Sequence, residues 1–310
     1  MSIRTLIFMA VLASSPVLQA KPLDERQVAA DARWLLHVDL DALRESGASA
    51  FLVTQWLQAR PIQNHLDGIR EAIGLDVTKD LHGITLYGEK LVPDRGAVVA
   101  RASLDPSRVM AFLARQSDYE KQEIGGHEVL SWVERRGGEK HTVFGAMLGP
   151  EGMVFSRDVD DLAAALAVLD GKAASLADSE SPLKGPAPVG AVVLVRACGL
   201  SEAKLPLKSP ILRLSEMLSL AAGEEVDGAA FVEVRLTAAS EKHVAEFHDV
   251  AVGLVALARL MRDNDEDVLR LLDAVAIRTE DRTVVARWSG QWIDVIKAVG
   301  NEHFRKHTMN

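Results

Sequence analysis

Short runs of alternating apolar and polar residues, punctuated by Gly and Pro, constrain this chain more than any other feature. Ala32 to Leu40 reads ARWLLHVDL, with Trp34, Leu36, Val38 and Leu40 on one side and Leu35, His37 and Asp39 on the other. A period of two signals a strand, because successive side chains leave a pleated backbone on opposite faces. Ile84 to Tyr87 and Gly96 to Ala102 repeat the signal. Tyr119 to Val133, broken at Gly125-Gly126, reads as a hairpin, and Thr142 to Leu148 with Met153 to Ser156 as another across Gly149-Pro150. Val189 to Val195 is apolar on both faces, as a central strand would be. Ala229 to Leu236 alternates with Glu233 and Arg235 on its wet face, and Val275 to Thr279 pairs with Thr283 to Trp288 over Glu280-Asp281-Arg282.

Between these runs the period becomes helical. Asp41 starts a helix through Leu43, Phe51, Leu52 and Trp56 that ends before Pro61, and Ile62 to Ile73 is a second, stopped by Gly74. Pro106 sits in the first turn of the next, where its missing N–H is harmless. Asp158 caps a helix whose core residues are Val159, Leu162, Ala163, Leu166 and Leu169. Ile211 to Leu220 reads as helical, and Gln291 to Val299 as the last helix. Glu241 to Met261 is a long helix with Val244, Phe247, Ala251, Leu254, Ala258 and Met261 on one stripe; its Val250–Met261 portion reads as buried.

The fold class that follows is α+β. Residues 171–188 are rich in Ser, Pro and Gly, poor in large apolar side chains, and read as a surface linker between halves at 21–170 and 189–310. The halves rhyme. Gly96 to Arg115, a strand then a helix, parallels Gly228 to Leu254, and Thr142 to Leu169, a hairpin then a helix, parallels Val275 to Val299. The expectation is two similar halves, each an antiparallel sheet packed against helices.

The N-terminus carries an address. Arg4 precedes the apolar run Leu6 to Ala13, Pro16 breaks it, and Ala20 offers a small residue for cleavage before Lys21. That order is the plan of a secretory signal peptide over residues 1–20. The run is shorter than the roughly 20 apolar residues a spanning helix needs, and no membrane span is expected in the mature chain. The expected location is periplasmic or secreted. With one Cys in 310 residues, no intrachain disulfide or cysteine-built zinc site is possible. A formal net charge of −9 argues against a nucleic-acid partner.

The search for chemistry returns little. His37 and Asp39 share a strand face, with Asp41 following, and form the candidate catalytic pair. The plainer account makes His37 a strand-edge residue and gives the carboxylates to helix N–H groups. Asp263 to Asp267 opens like a calcium loop, but Val268 and Ala274 stand where Gly and Glu are needed, so the run is assigned to capping the helix from Val268. Ser181 to Lys184 and Ser201 to Lys204 fit Ser-x-x-Lys without its partner motifs. His243 and His248 fall on different helix faces, and His303 with His307 belongs to the tail. Cys198 and the five Trp residues read as core. No cofactor fingerprint is present, and no cofactor or metal is expected.

The stretch AADARWLLHVDLDAL from Ala29 to Leu43, with DLHGITLYG from Asp80 to Gly88 and LDGK from Leu169 to Lys172, resembles uncharacterised exported proteins of planctomycete-type bacteria. The resemblance spans nearly the whole mature chain. It implies export and a bacterial source, and it carries over no activity and no site residues. The expected role is a non-catalytic binding or interaction module in the periplasm or cell envelope, with a possible protein partner. The alternative is an exported hydrolase with a site near His37 and Asp39.

Overall fold

The computed structural model describes residues 23–48, 60–92, 94–116, 118–136, 138–200, 210–262 and 265–295. Residues 1–20, Phe51, Leu52 and Trp56, the Ser201–Lys204 motif, Asp263, and the tail histidines His303 and His307 lie outside the described residues.

The chain is α+β, built on one sheet. The first half supplies β1 (Trp34–Asp39), β2 (Leu81–Gly88), β3 (Ala97–Ala102), β4 (Glu120–Ile124), β5 (His127–Arg136), β6 (Glu139–Met147) and β7 (Gly152–Ser156). The second supplies β8 (Ala191–Cys198), β9 (Ser215–Glu224), β10 (Ala230–Ala238), β11 (Val275–Glu280) and β12 (Thr283–Gly290). Their order across the sheet is β11-β12-β10-β9-β8-β1-β2-β3-β7-β6-β5-β4, all antiparallel. The expected pair of sheets is therefore a single sheet of 12 strands. The join is β1 against β8, from Trp34 opposite Ala197 to Val38 opposite Val193. Alternation reveals a strand's two faces but not who occupies its two edges, so this join left no trace in the pattern.

Aspartates set the helix starts. Asp39 caps α1 (Leu40–Glu45) through the Ala42 N–H at 3.0 Å. Then follow α2 (Arg60–Ile73) and α3 (Val77–Asp80). Asp105 caps α4 (Pro106–Leu113), with Pro106 in the first turn, and Asp158 caps α5 (Val159–Leu169). After the short α6 (Pro210–Arg213) come α7 (Val244–Met261) and α8 (Glu266–Asp273), the latter capped by Asp265 through the Val268 N–H. A side-chain oxygen on these orphan donors is worth about 1 kcal/mol per helix.

Several segments depart from their sequence patterns. Ile211 to Leu220, expected as a helix, enters β9 at Ser215. Its Met, Leu and Glu favour a helix, but pairing with both β8 and β10 overrides that preference. The small residues Ser219, Ala221 and Gly223 fill the buried face, and Gly223 has no room for a Cβ against the Gly190 backbone. Glu233, expected wet, is buried, and its Oε2 lies 2.9 Å from Arg287 and 3.6 Å from Arg278, with Arg235 at 3.4 Å from Oε1.

Residues 171–188 form a packed strap rather than a loose linker. Leu176 and Leu183 are fully buried, and the Leu176 N–H donates to the Val28 carbonyl at 2.7 Å. The buried Arg196 guanidinium on β8 donates to the carbonyls of Leu183, Gly185 and Pro186 at 2.7, 2.8 and 2.8 Å. Few large side chains suffice because a cation on the sheet gathers the strap's carbonyls.

The strap, residues 24–32 and α5 cover one sheet face, where Leu35, Val99, Val154, Leu194 and Phe231 join the main core. The opposite face carries α4 over Leu130 at one end and α7 over Val284 at the other.

Arg196→Met should lower unfolding stability by about 2–4 kcal/mol, since it leaves the three strap carbonyls without their donor. Urea melts would read the loss, and limited proteolysis should then cut within 171–188. A melt unchanged from the parent would show that the strap holds without Arg196.

Candidate binding surface

The face that carries α4 and α7 is apolar across both halves. Leu36, Val38, Ile84, Leu86, Val98 and Phe155 point this way from the first-half strands, as the registers place them. Val195, Leu220, Val234, Ala286 and Ile277 continue it through the second half. The helices cover it only in part.

Between this face and α4 lies a cavity of about 680 Å³, walled by Trp34, Leu86, Val98, Phe112, Trp132 and Phe155. Trp34 and Trp132, expected as plain core, are thus cavity walls. The Trp34 indole N–H donates to the Lys90 carbonyl at 3.0 Å, which fixes the ring. The rim is ionic. Arg95 makes a two-pronged pair with Asp161 at 2.7 and 2.8 Å and approaches Asp158 at 3.6 Å, while Arg157 pairs with Asp94. The Arg95 hydrogen bond holds the Asp161 carboxyl below the usual range against the opposing effect of burial.

At the other end, α7 carries two apolar stripes. Val244, Phe247, Ala251, Val255 and Ala258 face the sheet, and the first two are buried. Val250, Leu254, Leu257 and Met261 form a second stripe, spaced four, three and four residues apart. These side chains are 39, 59, 51 and 73% exposed, and Leu260 beside them is 75% exposed. Gly253 on the same side meets nothing within 4 Å even with a Cβ added. The expectation of a buried helix over 250–261, with Leu254 and Met261 on its core stripe, is corrected here. The sheet reaches one side of α7, and nothing among the described residues shields the other.

The candidate pair His37 and Asp39 is buried, and of the two only Asp39 lines a cavity, one of about 740 Å³ that His37 does not reach. His37 Nδ1 lies 2.9 Å from Thr85 Oγ1 on the neighbouring strand, and Asp39 caps α1. β1 is central, so His37 is not an edge residue. Cys198 is buried, and burial pushes its thiol up, as for a packed apolar residue. Among the described residues no cluster of three or more His, Cys, Asp or Glu side chains could hold a metal.

No protein-family model matches the chain, and no curated protein does. Among solved structures, TP0453, a Treponema protein, is similar in two crystal forms. Form I gives a TM-score of 0.47 at 9% identity over 91% of this chain and 98% of that one. Form III gives 0.49 at 8% identity over 91% and 100%. Likeness at that level transfers no function to this chain.

The two stripes of α7 predict opposite mutational outcomes. Phe247→Ala on the inner stripe should cost about 3–5 kcal/mol. Leu254→Glu and Leu257→Glu on the outer stripe should each change stability by no more than about 0.5 kcal/mol. Thermal melts of the three variants would check this, and a large loss from either Glu variant would mean the outer stripe is needed for folding.

Proposed function

We propose that the protein is an exported binding module of the periplasm or cell envelope that docks a partner protein through the outer stripe of α7. The single observation that carries the reading is that stripe. Water in contact with Leu254, Leu257, Leu260 and Met261 is an unfavourable arrangement for a folded chain, and contiguous exposed apolar surface marks interaction sites. The four-three-four spacing suits another helix, because it keeps an apolar seam in line along a supercoiled pair. The partner that fits is therefore a helix with its own apolar seam. No helix among the described residues is long and apolar enough to cross a membrane, which is consistent with a docking role for α7.

Export rests on the order of basic, apolar and small residues in the first 20 positions. We also infer that the two halves descend from a duplication. β1-β2-β3 and β8-β9-β10 are each three neighbouring strands, each set leads into a helix (α4 or α7), and each returns so that β7 lies on β3 and β12 on β10.

A photo-crosslinking amino acid at position 257, in cells producing the full chain, tests both claims. The expected product is one discrete crosslinked species in the envelope fraction, lost when Leu254→Glu is added. N-terminal sequencing of that material should begin at Lys21. Irradiation that yields no discrete species would sink the docking role, and intact Met1 in the cytosol would sink export.

A further inference from the structure

A second constellation lies at one end of β1, β2 and β3, and no short motif announces it. Asp41 stands in the first turn of α1, His82 is the second residue of β2, and Ser103 follows β3 directly. His82 Nδ1 is 3.0 Å from Asp41 Oδ1, and His82 Nε2 is 2.9 Å from Ser103 Oγ. The geometry points to a hydrolytic centre for carboxylic esters, with Ser103 as nucleophile, His82 as base and Asp41 as its positioning residue. This is the order of contacts in which an imidazole can take a hydroxyl proton while a carboxylate holds its other nitrogen.

Local structure explains how His82 comes to serve. The register between β2 and β3 shifts at Leu81/Gly83, a bulge that leaves His82 out of the ladder. Bulges re-aim side chains in this way, and they are frequent beside active sites. Arg44 pairs with Asp41 and donates to the Leu81 carbonyl at 2.9 Å, so one guanidinium ties the carboxylate to the strand that carries the histidine. Burial pushes the Asp41 carboxyl up, but the bonds and charges of His82 and Arg44 outweigh it and hold it below the usual carboxylate range.

The three groups open on a cavity of about 820 Å³ that also exposes Arg101, Leu104, Leu148 and Pro150. The nearest backbone donors are committed, since the Ser103 N–H donates to the Asp80 carbonyl at 2.8 Å and the Leu104 N–H to the Pro150 carbonyl at 2.9 Å. Arg101 lines the same cavity, with its Nη2 buried and without a hydrogen-bond partner, and it is the cation on this wall that would offset charge developing on an oxyanion. One cationic donor in place of a backbone pair suits an ester, whose alkoxide leaves more readily than an amine, and the mixed wall suits a short acyl group.

The step balances without a cofactor. Ser103 Oγ bonds to the carbonyl carbon as its proton passes to His82 Nε2. The ester C–O bond breaks, the alcohol leaves with that proton, and an acyl-Ser103 remains. Water then attacks the acyl carbon, His82 takes its proton and returns it to Ser103 Oγ, and the carboxylic acid departs. The net reaction is ester plus water to acid plus alcohol.

The test uses the full chain with p-nitrophenyl acetate and a fluorophosphonate label. Labelling is expected at Ser103 by peptide mass spectrometry. Ser103→Ala should lower turnover about a hundredfold or more with the melt unchanged, because Ser103 is exposed. His82→Gln should match that loss, and Asp41→Asn should lower kcat more than KM. The Val226→Ser variant, at an exposed residue outside both this centre and the α7 stripe, should retain full turnover. Turnover that survives in Ser103→Ala or His82→Gln, or the absence of label on Ser103, would overturn the assignment.

Discussion

The pairing of β1 with β8 holds the molecule together. Without it the two sets of strands would each end in an open edge, and unpaired edges invite association. With it, β1 is flanked on both sides, Leu35, Leu194 and Phe231 belong to one core, and Asp39 and Asp41 are fixed beside the ends of β2 and β3. The strap depends on the same pairing. Arg196 sits opposite Leu35 in that register, on the face that Leu176 and Leu183 cover.

The sheet divides its labour between faces. On one, the strap and α5 seal the first half, while the second half carries the Glu233 cluster with Arg235, Arg278 and Arg287. Arg287 also lies 4.4 Å over the Phe231 ring, so the ionic cluster continues directly into the core. On the other face, apolar side chains run through both halves beneath partial helical cover. That incomplete cover leaves the cavity under α4, while the outer stripe of α7 is bare because it turns away from the sheet.

Much of the fold was legible in residues. Trp34 to Asp39, the hairpin over Gly125-Gly126, the turn at Asp281, the helix start at Pro106 and the cap at Asp158 all fell where local chemistry placed them. These are short-range effects of side-chain period, backbone freedom and orphan N–H groups. The site was not legible. His82 gave no signal because its role depends on a bulge against β3 and on Asp41 and Ser103, which are distant in sequence. His37 gave a false one, since a His two residues from an Asp is conspicuous in sequence yet is spent here on Thr85 and a helix cap.

By itself the sequence determined the α+β class, most strand and helix positions, the absence of an intrachain disulfide and the apolar character of α7. It could do so because each follows from neighbours within a few residues or from composition. Only the tertiary structure decided that the strands form one sheet, that Ser215 to Glu224 is a strand, that the strap is buried, and which side of α7 meets water. Those outcomes turn on strand edges and contacts between segments far apart in the chain, and local periodicity carries no information about either.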